Sequence, residues 1–147
     1  MTGNATNRSP QHPSAGPVTP RPEPGGSARW PGGDTHAGRF GRFGEQCAAQ
    51  WYVHNGYEVL AENWRCSDGE LDLIVTDGSA AVFVEVKARS SRRFGSGAEA
   101  VDHRKQRKLR RLAARWLNQA DGQFQDLRFD VVDVDSNGTV AVYEECF

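Results

Sequence analysis

Gly69-Glu70-Leu71-Asp72-Leu73-Ile74-Val75-Thr76, a break at Asp77-Gly78-Ser79, and then Ala80-Ala81-Val82-Phe83-Val84-Glu85-Val86-Lys87 decide the fold. Both runs are rich in β-branched and apolar residues and are bounded by turn formers, which reads as two strands of a hairpin. Apolar strands rarely carry a carboxylate in mid-run, because burying an unpaired charge is expensive. Asp72 and Glu85 both break that rule, and Lys87 follows two residues on. Side chains alternate along a strand, so Glu85 and Lys87 share one face while Val82, Val84 and Val86 share the other. A two-residue loop at Gly78-Ser79 sets Asp72 directly opposite Glu85. A loop at Asp77-Gly78 sets it opposite Phe83, one diagonal step from Glu85 but on the same face. An unbulged three-residue loop would split the carboxylates.

Directly opposed carboxylates repel, and a cation between them removes the conflict. A few hard oxygen ligands, with waters completing an octahedron, suit Mg²⁺, or Mn²⁺ in its place, rather than zinc. Lys87 is placed to orient an attacking water or to stabilise charge on a phosphoryl oxygen. The structural alternative is an ion pair of Asp72 with Lys87 or Arg89 at a sheet edge.

Outward from this hairpin, Phe43, Cys47, Ala48 and Trp51 recur at helical spacing, so Phe43–Asn55 reads as a helix that Gly56 stops. Tyr57–Asn63 alternates as a first strand, and Ser67-Asp68-Gly69 is turn chemistry. The hairpin strands span Glu70–Thr76 and Ala80–Lys87, and the polar stretch Ala88–Gly97 reads as a loop. Ala98–Ala120 predicts a long helix with Val101, Leu109, Leu112, Ala113, Trp116 and Leu117 on one face. Strands at Leu127–Val134 and Thr139–Glu144 follow, joined by a Ser136-Asn137-Gly138 turn. The order α-β-β-β-α-β-β describes an α/β fold, a mixed sheet flanked by helices. The connection through the long helix allows a parallel, right-handed β-α-β crossover.

All seven prolines of the 147 residues fall within the first 31. That Gly/Pro/Ser-rich stretch has no apolar periodicity, so residues 1–38 read as a disordered tail and residues 39–147 as one folded domain. No signal-peptide h-region or membrane-length apolar run is present. Three cysteines, Cys47, Cys66 and Cys146, stand at no metal-ligand spacing, so reduced thiols in the cytoplasm are expected, with Cys47 in the core. The absence of a Cys-His or Ser-His-Asp grouping argues against nucleophilic hydrolase chemistry. Trp51 and Trp116 fit core positions, and Trp64 could stack on a base or simply pack.

The net charge of −1 hides a strong asymmetry. From Lys87 to Arg115 eleven basic residues face only Glu99 and Asp102, a net charge of +9, so the other 118 residues carry −10. A concentrated basic segment beside acidic strands is the layout of a phosphate-backbone binder with a metal site; a solvated helix face is the plainer reading. On the long helix Arg104, Lys108, Arg111 and Arg115 form a stripe. Lys105 falls inside the apolar arc, where it could reach the carboxylates and a phosphate or merely snorkel. Arg89, Arg92 and Arg93, in the loop after Lys87, are candidate clamps on a bound strand.

Asp72…Glu85-Val86-Lys87 resembles the D…(D/E)-x-K signature of the PD-(D/E)XK nuclease superfamily. Further along the chain Gly44-Glu45, Gly56-Tyr57, Asn63-Trp64-Arg65, Gly69–Ile74, Phe83–Arg89, Phe94-Gly95, Glu99-Ala100-Val101, Lys105 and Arg128-Phe129-Asp130 look like the YraN-like family. That group comprises predicted bacterial endonucleases similar to archaeal Holliday junction resolvases. The resemblance implies a restriction-endonuclease-like fold and Mg²⁺-dependent hydrolysis of DNA, branched or structured DNA included. It makes Asp72 and Glu85 the metal ligands and Lys87 the catalytic lysine. Glu45 matches a first-helix glutamate that approaches the metal in resolvase-like relatives; an exposed surface glutamate is the alternative. The sequence departs from the pattern at Leu71, where the motif has a nominal proline, and at Ala98, where relatives often carry one. Resolvase-like relatives also suggest a homodimer. Two other readings stay open: a non-catalytic nucleic-acid-binding module on the same fold, and a subunit whose basic helix docks an acidic protein.

Overall fold

The computed structural model describes residues 36–90 and 101–147. In order these form α1 (His36–His54), β1 (Glu58–Cys66), β2 (Gly69–Thr76), β3 (Ala80–Arg89), α2 (His103–Leu117), β4 (Asp126–Asp135) and β5 (Val140–Tyr143). The strands make one sheet in the order β1-β2-β3-β4-β5. Its pairs are antiparallel except for β3 beside β4, which α2 joins in parallel. This is the mixed α/β sheet that the sequence predicts, with the element order unchanged.

The element ends differ from expectation for local reasons. Helix α1 begins at His36 rather than Phe43. Phe40 stacks on Phe43 with ring centroids 6.4 Å apart, which extends the apolar face by a turn. Residues 36–38, expected in the tail, are therefore helical, while residues 1–35 lie outside the described residues. Of the helix expected from Ala98, residues 98–100 lie outside the described residues; α2 starts at His103 because Asp102 is extended (φ −65°, ψ 163°) and caps the helix. Its Oδ1 accepts from the Lys105 amide at 2.8 Å. Strand β1 runs on to Cys66 through a bulge between Val59 and Ala61 and a left-handed Asn63 at φ 50°. Strand β3 also runs past Lys87, so Arg89 belongs to the strand and not to a loop.

Helix α1 ends in a Schellman motif: the Tyr57 amide donates to the Tyr52 carbonyl, the Gly56 amide donates to the Val53 carbonyl, and Gly56 is at φ 87°. The two layers of core lie on opposite faces of the sheet. Under α1, Cys47, Ala48, Ala49 and Tyr52 pack on Leu73, Val75, Val82, Val84, Val132 and Val134. Under α2, Leu109, Leu112, Ala113 and Trp116 pack on Ile74, Ala81, Phe83, Phe129 and Val131. Phe83 meets Trp116 edge-on at 5.8 Å and stacks on Phe129 at 5.4 Å. Each such buried side chain contributes about 1.5–3 kcal/mol. Among the described residues no helix is long and apolar enough to cross a membrane.

One contact seats α1 on the sheet. A Cβ on Gly44 would lie 2.9 Å from the Ala88 Cβ and 3.6 Å from Val86 Cγ1. Ala88 is a short side chain on a paired strand and cannot rotate away. Gly44→Ala is therefore expected to destabilise the protein by about 1–3 kcal/mol despite its better helix propensity, as read from urea unfolding. An unchanged or raised midpoint would show that α1 does not need this close approach.

Candidate functional site

The β2–β3 register runs Thr76↔Ala81, Val75↔Val82, Ile74↔Phe83 and Leu73↔Val84. One further step sets Asp72 across from Glu85, the register expected of the Gly78-Ser79 loop. The turn is stabilised locally: Asp77 Oδ1 accepts from the amides of Ser79 and Ala80 at 2.9 and 2.8 Å. Gly78, at φ 95°, donates its amide to Thr76 Oγ1 at 2.9 Å. The paired ladder stops at Leu73↔Val84. Beyond it, Asp72 Oδ2 accepts from the Val86 amide at 2.9 Å, in place of a strand carbonyl. Alternation breaks at the same point, for Leu71 packs in the α2 core while Leu73 and Val75 lie under α1. The Asp72 carboxylate thus sits where the two strands part.

Three further charged groups converge there. Glu85 Oε1 is 2.9 Å from Lys105 Nζ and 3.8 Å from Lys87 Nζ. On the α1 side Glu45 is half-buried, and its Oε2 accepts from Asn63 Nδ2 at 2.9 Å. The left-handed turn of Asn63 in β1 thus presents its amide to the helix. Burial, followed by the charge on Glu85, pushes the Asp72 carboxyl up to about 6; the Val86 amide opposes this, Glu45 adds to it and Lys105 subtracts. The structure therefore brings together Asp72, Glu85, Lys87, Glu45 and Lys105.

The remaining basic candidates divide. Arg89 Nε binds Asp133 Oδ1 at 3.2 Å, so its guanidinium is engaged within the sheet. Arg115 pairs with Asp68 and donates to Ser67 Oγ, which ties α2 to the β1–β2 turn. Lys108 lies over the same turn: a Cβ on Gly69 would come 2.7 Å from its Cε. Arg104 and Arg111 stand exposed on α2. Arg92 and Arg93 lie outside the described residues. Trp116 is buried, and Trp51 and Trp64 pack partly buried against the two cores.

Sequence reasoning gave no role to the three buried carboxylates of β4, Asp130, Asp133 and Asp135, of which the first two lie within its apolar run. Asp130 is 1% exposed and accepts from Tyr52 Oη (2.7 Å), Arg128 Nε and Nη2 (3.0 and 2.9 Å) and the Glu145 amide (3.1 Å). Asp133, the register partner of Lys87, is equally buried, and its Oδ2 has no hydrogen-bond partner among the described residues. The signal that singles out Asp72, a carboxylate within an apolar run, also marks Asp130 and Asp133 in Phe129-Asp130-Val131-Val132-Asp133-Val134.

Among the described residues no three His, Cys, Asp or Glu side chains gather closely enough to hold a metal ion by themselves. Asp72 and Glu85 offer two carboxylates, with Glu45 farther out. That donor set fits a hard cation that keeps most of its waters and takes one or two carboxylates, as Mg²⁺ does. It does not fit zinc, which needs nitrogen or sulfur ligands in a closed set.

Residues 44–134 match the model of the "Uncharacterised protein family UPF0102". A UPF0102 protein of Beutenbergia cavernae is 53% identical over 95 residues, covering 65% of this chain and 80% of the relative. UPF0102 protein Francci3_3586 of Frankia casuarinae is 53% identical over 105 residues, covering 70% of this chain and 89% of the relative. A UPF0102 protein of Nocardia farcinica is 49% identical over 102 residues, 69% of this chain and 79% of the relative. The matched segment contains Glu45, Asp72, Glu85, Lys87 and all of α2.

Proposed function

We propose that this chain, which belongs to the family UPF0102, is a divalent-metal-dependent endonuclease that hydrolyses phosphodiester bonds in DNA, branched or structured DNA included. One observation carries the reading: the Asp72 carboxylate, bound by the Val86 amide where the paired ladder ends, lies close enough to Glu85 to feel its charge, and two ammonium groups reach Glu85. Mg²⁺ held by Asp72 and Glu85, or Mn²⁺ in its place, would polarise the phosphoryl group and lower the pKa of a bound water. The chain's own groups supply the rest. The Val86 amide fixes the Asp72 carboxylate in one orientation. Lys87, anchored in β3, can donate to a non-bridging phosphate oxygen as charge develops on it. Glu45, which accepts from Asn63, would hold a water on the α1 side of Asp72. Arg104 and Arg111 can hold the backbone of the bound strand, which gives affinity without base preference. Free thiols at Cys47, Cys66 and Cys146 accord with work in the cytoplasm.

The test is a panel of labelled linear, flapped, four-way and single-stranded DNA with Mg²⁺, Mn²⁺ or EDTA. Cleavage of at least one form with either metal, and none with EDTA, is expected. No cleavage of any form would overturn the enzymatic reading. Salt-sensitive binding without cleavage would instead identify a non-catalytic nucleic-acid-binding module. The close Lys105–Glu85 pair favours that second reading, since it already neutralises one of the two carboxylates.

A further inference from the structure

Cations are distributed unevenly between the two central carboxylates. Glu85 Oε1 receives both ammonium groups, Lys105 at 2.9 Å and Lys87 at 3.8 Å. Asp72, across from it, has a backbone amide as its partner and, among the described residues, no cationic side chain within ion-pair distance. The nearer ammonium is also the less committed one. Lys87 rises from a paired strand, and its side chain is 24% exposed. Lys105 comes from the first turn of α2, and its side chain is 41% exposed although it ends on a glutamate that is only 11% exposed.

The backbone of Lys105 is held independently of this contact. Its amide is bound by the Asp102 cap, and Leu109, one turn on, is buried in the core. The ammonium can therefore leave Glu85 by side-chain rotation alone, without disturbing α2. An ion pair with one partner this exposed is weak, because the departing ammonium regains water.

We infer that Lys105 is a resident counter-cation, holding the place on Glu85 Oε1 that a divalent cation takes and leaving it when the cation enters. The inference rests on the metal-dependent reading of the site. It gives Lys105 a role distinct from holding phosphate and from ordinary core cover. A phosphate-holding lysine has no effect on metal affinity when nucleic acid is absent. A merely structural lysine stabilises the protein equally with and without metal. A counter-cation competes with the metal, so its removal strengthens metal binding and weakens only the metal-free protein. Once displaced, the ammonium joins Arg104 on the solvent side of α2, adding positive charge to the proposed nucleic-acid face as the metal arrives.

The test uses the full chain without nucleic acid, titrated with Mn²⁺ by calorimetry and followed by thermal melting. Lys105→Met keeps the aliphatic stem over the core and removes the charge, whereas Lys105→Arg keeps the charge. Lys105→Met is expected to bind Mn²⁺ about three- to tenfold more tightly than the wild type, the gain from deleting a weak competing ion pair. Lys105→Arg should show no such gain. The metal-free Lys105→Met protein should also melt below the wild type, and saturating Mn²⁺ should close the gap. Unchanged or weaker Mn²⁺ binding by a folded Lys105→Met protein would overturn the inference and leave the metal site standing. No Mn²⁺ binding by any of the three proteins would overturn the metal-dependent reading itself.

Discussion

Asp130→Ala is expected to destabilise the protein by about 3–5 kcal/mol in urea unfolding near neutral pH, the usual cost of removing one member of a buried charge pair. Asp130 accepts four hydrogen bonds that gather distant parts of the chain: the end of α1 through Tyr52, its own strand through Arg128, and the C-terminal segment through the Glu145 amide. The Schellman motif at the end of α1 brings Tyr57 against Tyr52, edge-on at 5.1 Å. Arg128 Nη2 then donates to Tyr57 Oη at 3.0 Å, and the guanidinium lies over that ring at 5.5 Å. Without Asp130, the Tyr52 hydroxyl loses its buried acceptor, and Arg128 keeps the neutral Tyr57 hydroxyl and, for an ion pair among the described residues, the half-exposed Glu144 at 3.5 Å. Tyr52→Phe, which removes one donor and leaves the ion pair, should cost only about 1 kcal/mol. Neither change touches the Asp72–Glu85 pair. A folded Asp130→Ala protein, studied at low temperature, should therefore bind Mn²⁺ like the wild type. Near-wild-type stability of Asp130→Ala would show that the network is dispensable.

That network also marks the limit of what the sequence reveals. Strands and turns are legible because turn formers bracket β-branched runs, and the face shared by Asp72 and Glu85 is legible because both favoured hairpin loops lead to it. Lys105 is visible as a cation inside an apolar arc. The carboxylates flagged by burial are a different matter. Asp72, Glu85, Asp130 and Asp133 all interrupt apolar strands, yet Asp130 is paired with Arg128 and hydrogen-bonded by Tyr52, the latter 78 positions away in sequence. Asp133 meets Arg89, 44 positions away. Arg128 stands two residues from Asp130, but no local pattern contains Tyr52 or Arg89, so a mid-strand carboxylate announces burial and leaves open whether fold or chemistry pairs with it. The parting of β2 from β3 at Asp72 was equally hidden, because it depends on a side chain replacing a carbonyl as acceptor. The earlier start of α1 came from one aromatic contact, Phe40 on Phe43, upstream of the periodic stretch.

Asp72→Asn is expected to have two opposed effects, and their combination separates function from fold. Cleavage should fall by about 10³-fold or more, as when a preorganised charge-stabilising group is lost. Metal-free stability at pH 7.5 should rise. Asp72 in the folded protein has its carboxyl pushed up to about 6 by burial and by Glu85, against about 3.9 in an unfolded chain. Between those values the folded state binds more protons than the unfolded state, so stability falls as pH climbs through the window from about 4 to about 6. Above it the ionised carboxylate costs the metal-free protein roughly 1–2 kcal/mol, after allowance for its partial exposure to solvent. Asparagine removes that charge, while its carbonyl oxygen can still accept from the Val86 amide. The variant should thus melt several degrees above the wild type at pH 7.5, at about 4–8 °C per kcal/mol for a domain of this size. Between pH 4 and 6 its stability should also lack the downward slope that Asp72 contributes in the wild type. Thermal melts in EDTA across that range, run beside the cleavage assay, read both effects. A destabilised, inactive Asp72→Asn protein would mean that the carboxylate is part of the scaffold. A stabilised, inactive one would mean that the fold carries Asp72 at a cost, as a site built to receive a cation should.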